Sequence, residues 1–154
     1  NKNDLLTDYA GGVTPLFWSG AATYAALGPA MDAPSSFSLE DVSAAALQFK
    51  TYASNVPAAF DDIIYFQLLL KQGTAPSQSI LIQQYNSSDG FLSSTFIPLL
   101  AAAEWERRLK KFIVDEATCA YIKISLMPAG QSAADSSNIG TTLFSDIYFG
   151  TRPR

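Results

Sequence analysis

The residue types that carry most protein chemistry are scarce in this chain. None of its 154 residues is histidine. The commonest general base, the Ser-His and Cys-His nucleophile pairs and the usual zinc ligand are therefore all missing. Gly11-Gly12 and the scattered glycines lack the spacing of a phosphate-cradling loop with a helix behind it. Carboxylates come in three close pairs, Asp61-Asp62, Glu104 with Glu106, and Asp115-Glu116, and opposed carboxyl groups can hydrolyse glycosidic bonds. Each pair reads more simply as a loop or exposed strand position, so no catalytic residue is expected. No Asp-x-Asp-x-Asp run supports a calcium loop, and neither metal nor cofactor is expected.

What remains is aromatic surface: ten Phe, seven Tyr and two Trp. Sugar rings stack on exposed aromatic faces because their axial C–H groups meet the negative face of the ring. The competing role is core packing, where such side chains contribute most to burial, and it is the role expected of Trp18 and Trp105. Tyr85 lies beside Gln83, Gln84 and Asn86, and amides next to a ring can pair with sugar hydroxyls. Tyr85, Gln83 and Asn86 are thus the candidate carbohydrate-binding residues.

Bulk properties narrow the partners. The net charge of −4 disfavours nucleic acid, which needs clustered Lys and Arg to displace counterions. The one dense basic group, Arg107, Arg108, Lys110 and Lys111, follows Glu104 and Glu106 and reads as a solvated face. Charged residues are only 16% of the chain, against roughly 25% in ordinary domains, which suits a surface that lives beside other protein. A lone cysteine, Cys119, rules out an internal disulfide framework, and its apolar setting predicts a buried, inert thiol. No stretch is long and apolar enough for a membrane helix, so no membrane insertion is expected. The opening Asn1-Lys2-Asn3-Asp4 shows no signal-peptide pattern.

The elements that must position these residues are short apolar runs separated by turn-formers, the pattern of a β-sandwich or barrel. Leu5-Leu6 opens the chain, and Trp18–Leu27 ends at Gly28-Pro29. Met31–Ser38 reads as loop. Ser43–Tyr52 alternates, with Ala45, Leu47 and Phe49 on one face, and predicts a half-buried strand. Ala53–Asp62 is loop, and Ile63–Lys71 is apolar on nearly both faces, as a central strand would be. Ile80–Tyr85 and Phe91–Ile97 flank Asn86-Ser87-Ser88-Asp89-Gly90, a strong turn signal, and form a hairpin. Between Leu99 and Glu116 the local signal is helical, with Trp105, Leu109, Phe112 and Ile113 at i, i+4, i+7, i+8. Ala120–Leu126 is a strand with Ile122, Ile124 and Leu126 on one face, and after the loop Pro128–Gly140 the run Thr141–Phe149 closes a sheet. No repeat or domain boundary interrupts residues 1–154, which predicts one all-β domain.

Taken in order, four stretches resemble the jelly-roll carbohydrate-binding modules, which are galactose-binding-like β-sandwiches. They are Asn3-Asp4-Leu5-Leu6 with Phe17-Trp18-Ser19-Gly20; Ala44–Ala53; Glu104–Val114 followed by Ala117–Leu126; and Gly140–Phe149. The resemblance implies two face-packed antiparallel sheets and makes Leu109–Val114 extended, against the local helical signal. It also implies structural roles for both tryptophans. Where the family often carries Asp-Asp this chain has Ser145-Asp146, which counts against a carried-over calcium. The same fold is reused in bacteriophage capsid decoration and tail proteins. The implied function is a non-catalytic module on a virion surface or otherwise outside the cell. Its partners would be copies of itself, a capsid or tail protein, and cell-surface glycan. The alternatives are a carbohydrate-binding module of a secreted polysaccharide-degrading enzyme and, more distantly, a small glycosidase or lyase.

Overall fold

The computed structural model describes residues 18–153; Leu5-Leu6 and Phe17 lie outside them. Period-two alternation of apolar side chains builds two antiparallel sheets, because successive residues of a strand point to opposite faces. The strands are β1 (Trp18–Ser19), β2 (Thr23–Leu27), β3 (Ser36–Asp41), β4 (Lys50–Tyr52), β5 (Val56–Pro57), β6 (Ile63–Gln72), β7 (Ser79–Tyr85), β8 (Phe91–Pro98), β9 (Glu106–Ile113), β10 (Tyr121–Met127) and β11 (Gly140–Gly150). The front sheet runs β1-β4-β10-β7-β8, with β5 also on β10, and the back sheet runs β2-β3-β11-β6-β9. This is the jelly-roll sandwich expected from the sequence. No described helix is long and apolar enough to cross a membrane.

The core lies between the sheets. β6 contributes Ile64, Phe66, Leu68 and Leu70, β7 contributes Ile80 and Ile82, and β10 contributes Ile122, Ile124 and Leu126. Rings lock the middle: Phe37 stacks on Phe144 at 5.6 Å between centroids, and Tyr52 meets Phe149 edge-on at 5.2 Å. Trp18 joins this core and contacts Tyr52. Trp105 is half-buried just ahead of β9 and stands outside the core cluster. Cys119 is buried and belongs to the core, and burial pushes its thiol pKa up.

Two sequence expectations change. The stretch 43–52 is a strand only over Lys50–Tyr52. The fully buried Asp41 holds the preceding residues in a closed loop, accepting from Ser43 N at 2.9 Å and from Gln48 N at 3.0 Å, while Gln48 Oε1 accepts from Val42 N at 2.8 Å. These side-chain bonds satisfy backbone groups that a strand ladder would otherwise use. Conversely, the loop expected over Met31–Ser38 becomes strand from Ser36, because Phe37 and Leu39 fill the core.

In the Trp105 region the extended reading implied by the family resemblance prevails over local helix propensity. β9 pairs with β6 over its whole length, from Ile63 opposite Ile113 to Leu70 opposite Glu106. The helical stripe is split: Phe112 enters the core while Leu109 stays 70% exposed on the outer face. Propensity is a weak prior, and eight paired residues outweigh it.

At β11 the ladder with β6 breaks between Ser145 and Tyr148. Asp146 adopts φ 48° there and receives Arg107 Nη1 at 2.7 Å, while Ser145 Oγ donates to Ser35 O at 2.6 Å. A guanidinium thus meets the carboxylate of the Ser145-Asp146 pair. Among the described residues no cluster of three or more His, Cys, Asp or Glu could hold a metal. Glycine is required at the head of β11: Gly140 has φ +129°, and a Cβ there would sit 2.7 Å from Ala75 N.

Candidate functional site

Because Ile80, Ile82 and Gln84 point inward along β7, Gln83 and Tyr85 must point outward. The registers of β7 with β8 and β10 then place residues side by side in rows across the front sheet. One row reads Phe91, Tyr85, Tyr121 and Pro57. The next reads Ser94, Gln83 and Lys123, and the third reads Phe96, Leu81, Ser125 and Thr51. Rows lie about 7 Å apart, two residues along a strand, and neighbours within a row about 5 Å apart.

The first row is an aromatic ledge. Tyr85 and Tyr121 are parallel to within 3° with centroids 5.2 Å apart, an offset stack, and Phe91 meets Tyr85 edge-on at 5.7 Å. Such offset and edge contacts are the favoured ring geometries. Phe91 is 57% exposed, and both tyrosines are half-exposed. Lys123 Nζ lies 4.9 Å from the Tyr85 ring centroid, a cation–π contact. Tyr121 Oη donates to Asp89 Oδ1 at 2.8 Å, and this bond to a carboxylate pushes the phenol pKa up to about 12.

Of the three candidates from the sequence, Gln83 and Tyr85 share this face. Asn86 does not join them. Its Oδ1 accepts from Ser88 N at 3.0 Å and from Gly90 N at 2.8 Å, closing the β7–β8 turn. Gln84, fully buried, is structural: its Nε2 donates to Ser93 Oγ at 3.1 Å and Asp115 Oδ1 at 2.7 Å, and its Oε1 accepts from Glu116 N at 3.2 Å.

Phe91, Phe96, Ser94, Tyr121 and Lys123 were not singled out in advance. Phe91 follows once the Asn86–Gly90 turn folds β8 back on β7. Tyr121 and Lys123 were marked only as the non-isoleucine side of β10, and the long-range pairing of β10 with β7 brings them to Tyr85.

The far end of the face is closed. Ser79 Oγ donates to Gly130 O at 2.9 Å, and a Cβ on Gly130 would lie 3.0 Å from Leu47 Cδ2 and 3.5 Å from Met127 Sδ. The loops carrying Leu47 and Gly130 therefore lie over that end, where Met127 is fully buried. An open aromatic and polar surface is left at the Tyr85 end.

One carboxylate of each acidic pair is held in local structure. Asp62 Oδ2 accepts from Ala59 N at 2.8 Å, Glu106 pairs with Arg108, and Asp115 accepts from Gln84. The basic group is partly consumed too: Arg107 pairs with Asp146 and Asp32, and Arg108 donates to the Leu99 and Leu100 carbonyls. On the back sheet, Tyr65, Gln67, Leu109, Tyr148 and Pro153 help line an almost wholly apolar hollow of about 160 Å³.

No protein-family model matches the sequence, and comparison with curated proteins finds no match. Comparison with solved structures finds many. The family 11 carbohydrate-binding module of the cellulase Lic26A-Cel5E of Clostridium thermocellum superposes with a TM-score of 0.62 at 12% identity, covering 96% of this chain and 94% of that one. The CBM22-1 xylan-binding domain of Paenibacillus barcinonensis Xyn10C gives 0.61 at 9%, covering 96% and 93%. The enzymatically active domain of bacteriophage CBA120 tailspike protein 4 gives 0.62 at 11% over 99% of this chain, which spans only 21% of that one. At these identities the likeness is one of fold: the chain is a jelly-roll β-sandwich of the kind found in carbohydrate-binding modules.

Proposed function

We propose that this chain is a non-catalytic glycan-binding module that works outside the cell, with the Tyr85 face of the front sheet as its binding surface. One observation carries the reading: the ledge of Phe91, Tyr85 and Tyr121 runs beside the polar row of Ser94, Gln83 and Lys123. A flat ring surface for C–H groups next to amide and hydroxyl groups for hydroxyls is what a sugar needs from a protein. Binding without turnover is supported by the way one carboxylate of each close acidic pair is committed to local structure.

The setting we favour is a virion surface, on which the sandwich attaches to copies of itself or to a capsid or tail protein and contacts host glycan. The tailspike likeness supports it, since there the same fold occupies a fraction of a larger phage protein. Attachment to a polysaccharide-degrading enzyme is the second reading, supported by the xylan-binding neighbour.

A glycan array probed with the wild-type chain, Tyr85→Phe and Tyr85→Ala tests the binding surface. Wild type and Tyr85→Phe should bind the same glycans, Tyr85→Ala should lose them, and prolonged incubation should release no reducing ends. Absence of binding by the wild-type chain would reject the glycan reading and leave only structural attachment.

A further inference from the structure

Lys123 is the one feature of the front face that neutral-sugar binding leaves unexplained. It sits in mid-strand on β10, opposite Gln83, half-buried, with its ammonium over the Tyr85 ring. Three ion pairs occur among the described residues, and none includes Lys123. The nearest acid of the β7–β8 turn, Asp89, already accepts from Tyr121 Oη. The other side chains of its row, Gln83 and Ser94, are neutral hydrogen-bonding groups. An ammonium without a carboxylate partner is therefore held over a ring among groups suited to sugar hydroxyls, in a chain whose net charge is −4.

We infer that this face selects acidic glycans, with a uronate carboxylate accepting from Lys123 Nζ while the adjacent pyranose lies against the Tyr85 and Tyr121 ledge. The inference rests on the glycan-binding reading above and specifies its ligand class. The chain's overall negative charge does not oppose it at physiological salt. Screening acts over about 8 Å there, so the local ammonium outweighs remote carboxylates.

The test is affinity electrophoresis and calorimetry of the whole chain against polygalacturonate, alginate and hyaluronate. Each is paired with its carboxyl-reduced neutral counterpart, and dextran sulfate serves as a control polyanion. The wild-type chain should bind at least one uronate polymer ~10-fold or more tightly than its reduced form, the range for a hydrogen bond to a charged group. Lys123→Met, which keeps an unbranched apolar stem on Tyr85, should abolish that preference while leaving residual affinity for the reduced polymer. Lys123→Arg should keep the preference.

Equal affinity for native and reduced polymers would overturn the acid selectivity and leave glycan binding standing. Equal binding to dextran sulfate would overturn it too, showing plain polyanion attraction. Failure to bind any of these polymers or any arrayed neutral glycan would overturn both readings.

Discussion

Replacing Tyr85 and Phe91 by alanine, singly and together, measures whether the aromatic ledge is assembled before any ligand arrives. Tyr85 has two ring partners and one cation within contact: Phe91 at 5.7 Å, Tyr121 at 5.2 Å and Lys123 at 4.9 Å. Favourable ring pairs contribute about 0.5–1.5 kcal/mol each beyond area burial, and an exposed cation–π contact about 0.5–1 kcal/mol. Tyr85→Ala should then destabilise the fold by about 1.5–4 kcal/mol, which for a chain of this size lowers Tm by roughly 3–15 °C. Phe91→Ala should cost less, because its ring is 57% exposed and makes one of those contacts. The discriminating quantity is the coupling energy from urea denaturation of the four variants, expected at about 0.5–1.5 kcal/mol. Additive losses, with coupling under ~0.3 kcal/mol, would mean that the rings do not hold each other, and the preformed ledge would have to be abandoned. Tyr85→Phe keeps both ring contacts, so its stability should stay within ~0.5 kcal/mol of wild type.

Three further outcomes follow from the same geometry. The Tyr121 phenol, pushed up to about 12 by its bond to Asp89, holds its proton in the fold after unfolded tyrosine, near 10, has lost it. Stability should fall as pH rises from about 10 to 12, and Asp89→Asn should flatten that fall and lower the ultraviolet titration midpoint of Tyr121; an unchanged midpoint would refute the bond. Asp146→Ala removes the partly buried partner of Arg107 while keeping a Cβ at φ 48°, costing roughly 1.5–3 kcal/mol in denaturant unfolding. Asp146→Gly should cost about 1 kcal/mol less, and equal losses would show that the backbone conformation is not what matters. Cys119, buried in the core, should react with a thiol reagent only after denaturation, so rapid labelling of the native chain would contradict its placement.

Ile63–Lys71 was legible as a strand because it is apolar on nearly both faces, Ala120–Leu126 because Ile122, Ile124 and Leu126 share one face, and the hairpin of Ile80–Tyr85 with Phe91–Ile97 because the chemistry of the Asn86–Gly90 turn is local. β3 was not legible: Phe37 and Leu39 lie beside Pro34 and neighbouring serines, and only pairing with β2 and β11 makes the run a strand. The apparent strand at 43–49 failed for the opposite reason, since Ala45, Leu47 and Phe49 alternate while the buried Asp41 carboxylate takes up the local backbone donors. At β9 the helical spacing was present in the sequence, but pairing with β6 dominated.

The site was half legible, and the missing half is non-local. Gln83 and Tyr85 reach the surface because Ile80, Ile82 and Gln84 are committed to the interior, and a slip of one residue in β7 would exchange the two sets. An all-apolar inner face would resist that slip only through burial. Gln84 adds a positional constraint, because its three hydrogen bonds to Ser93, Asp115 and Glu116 can be made in one register only. A buried amide with every bond satisfied specifies a single arrangement. The residue that looked like a fourth member of the sugar-binding cluster thus fixes the outward direction of the other two. The same register sets Tyr121 against Tyr85 and Lys123 against Gln83, so the ledge and its cation are consequences of how the core is pinned.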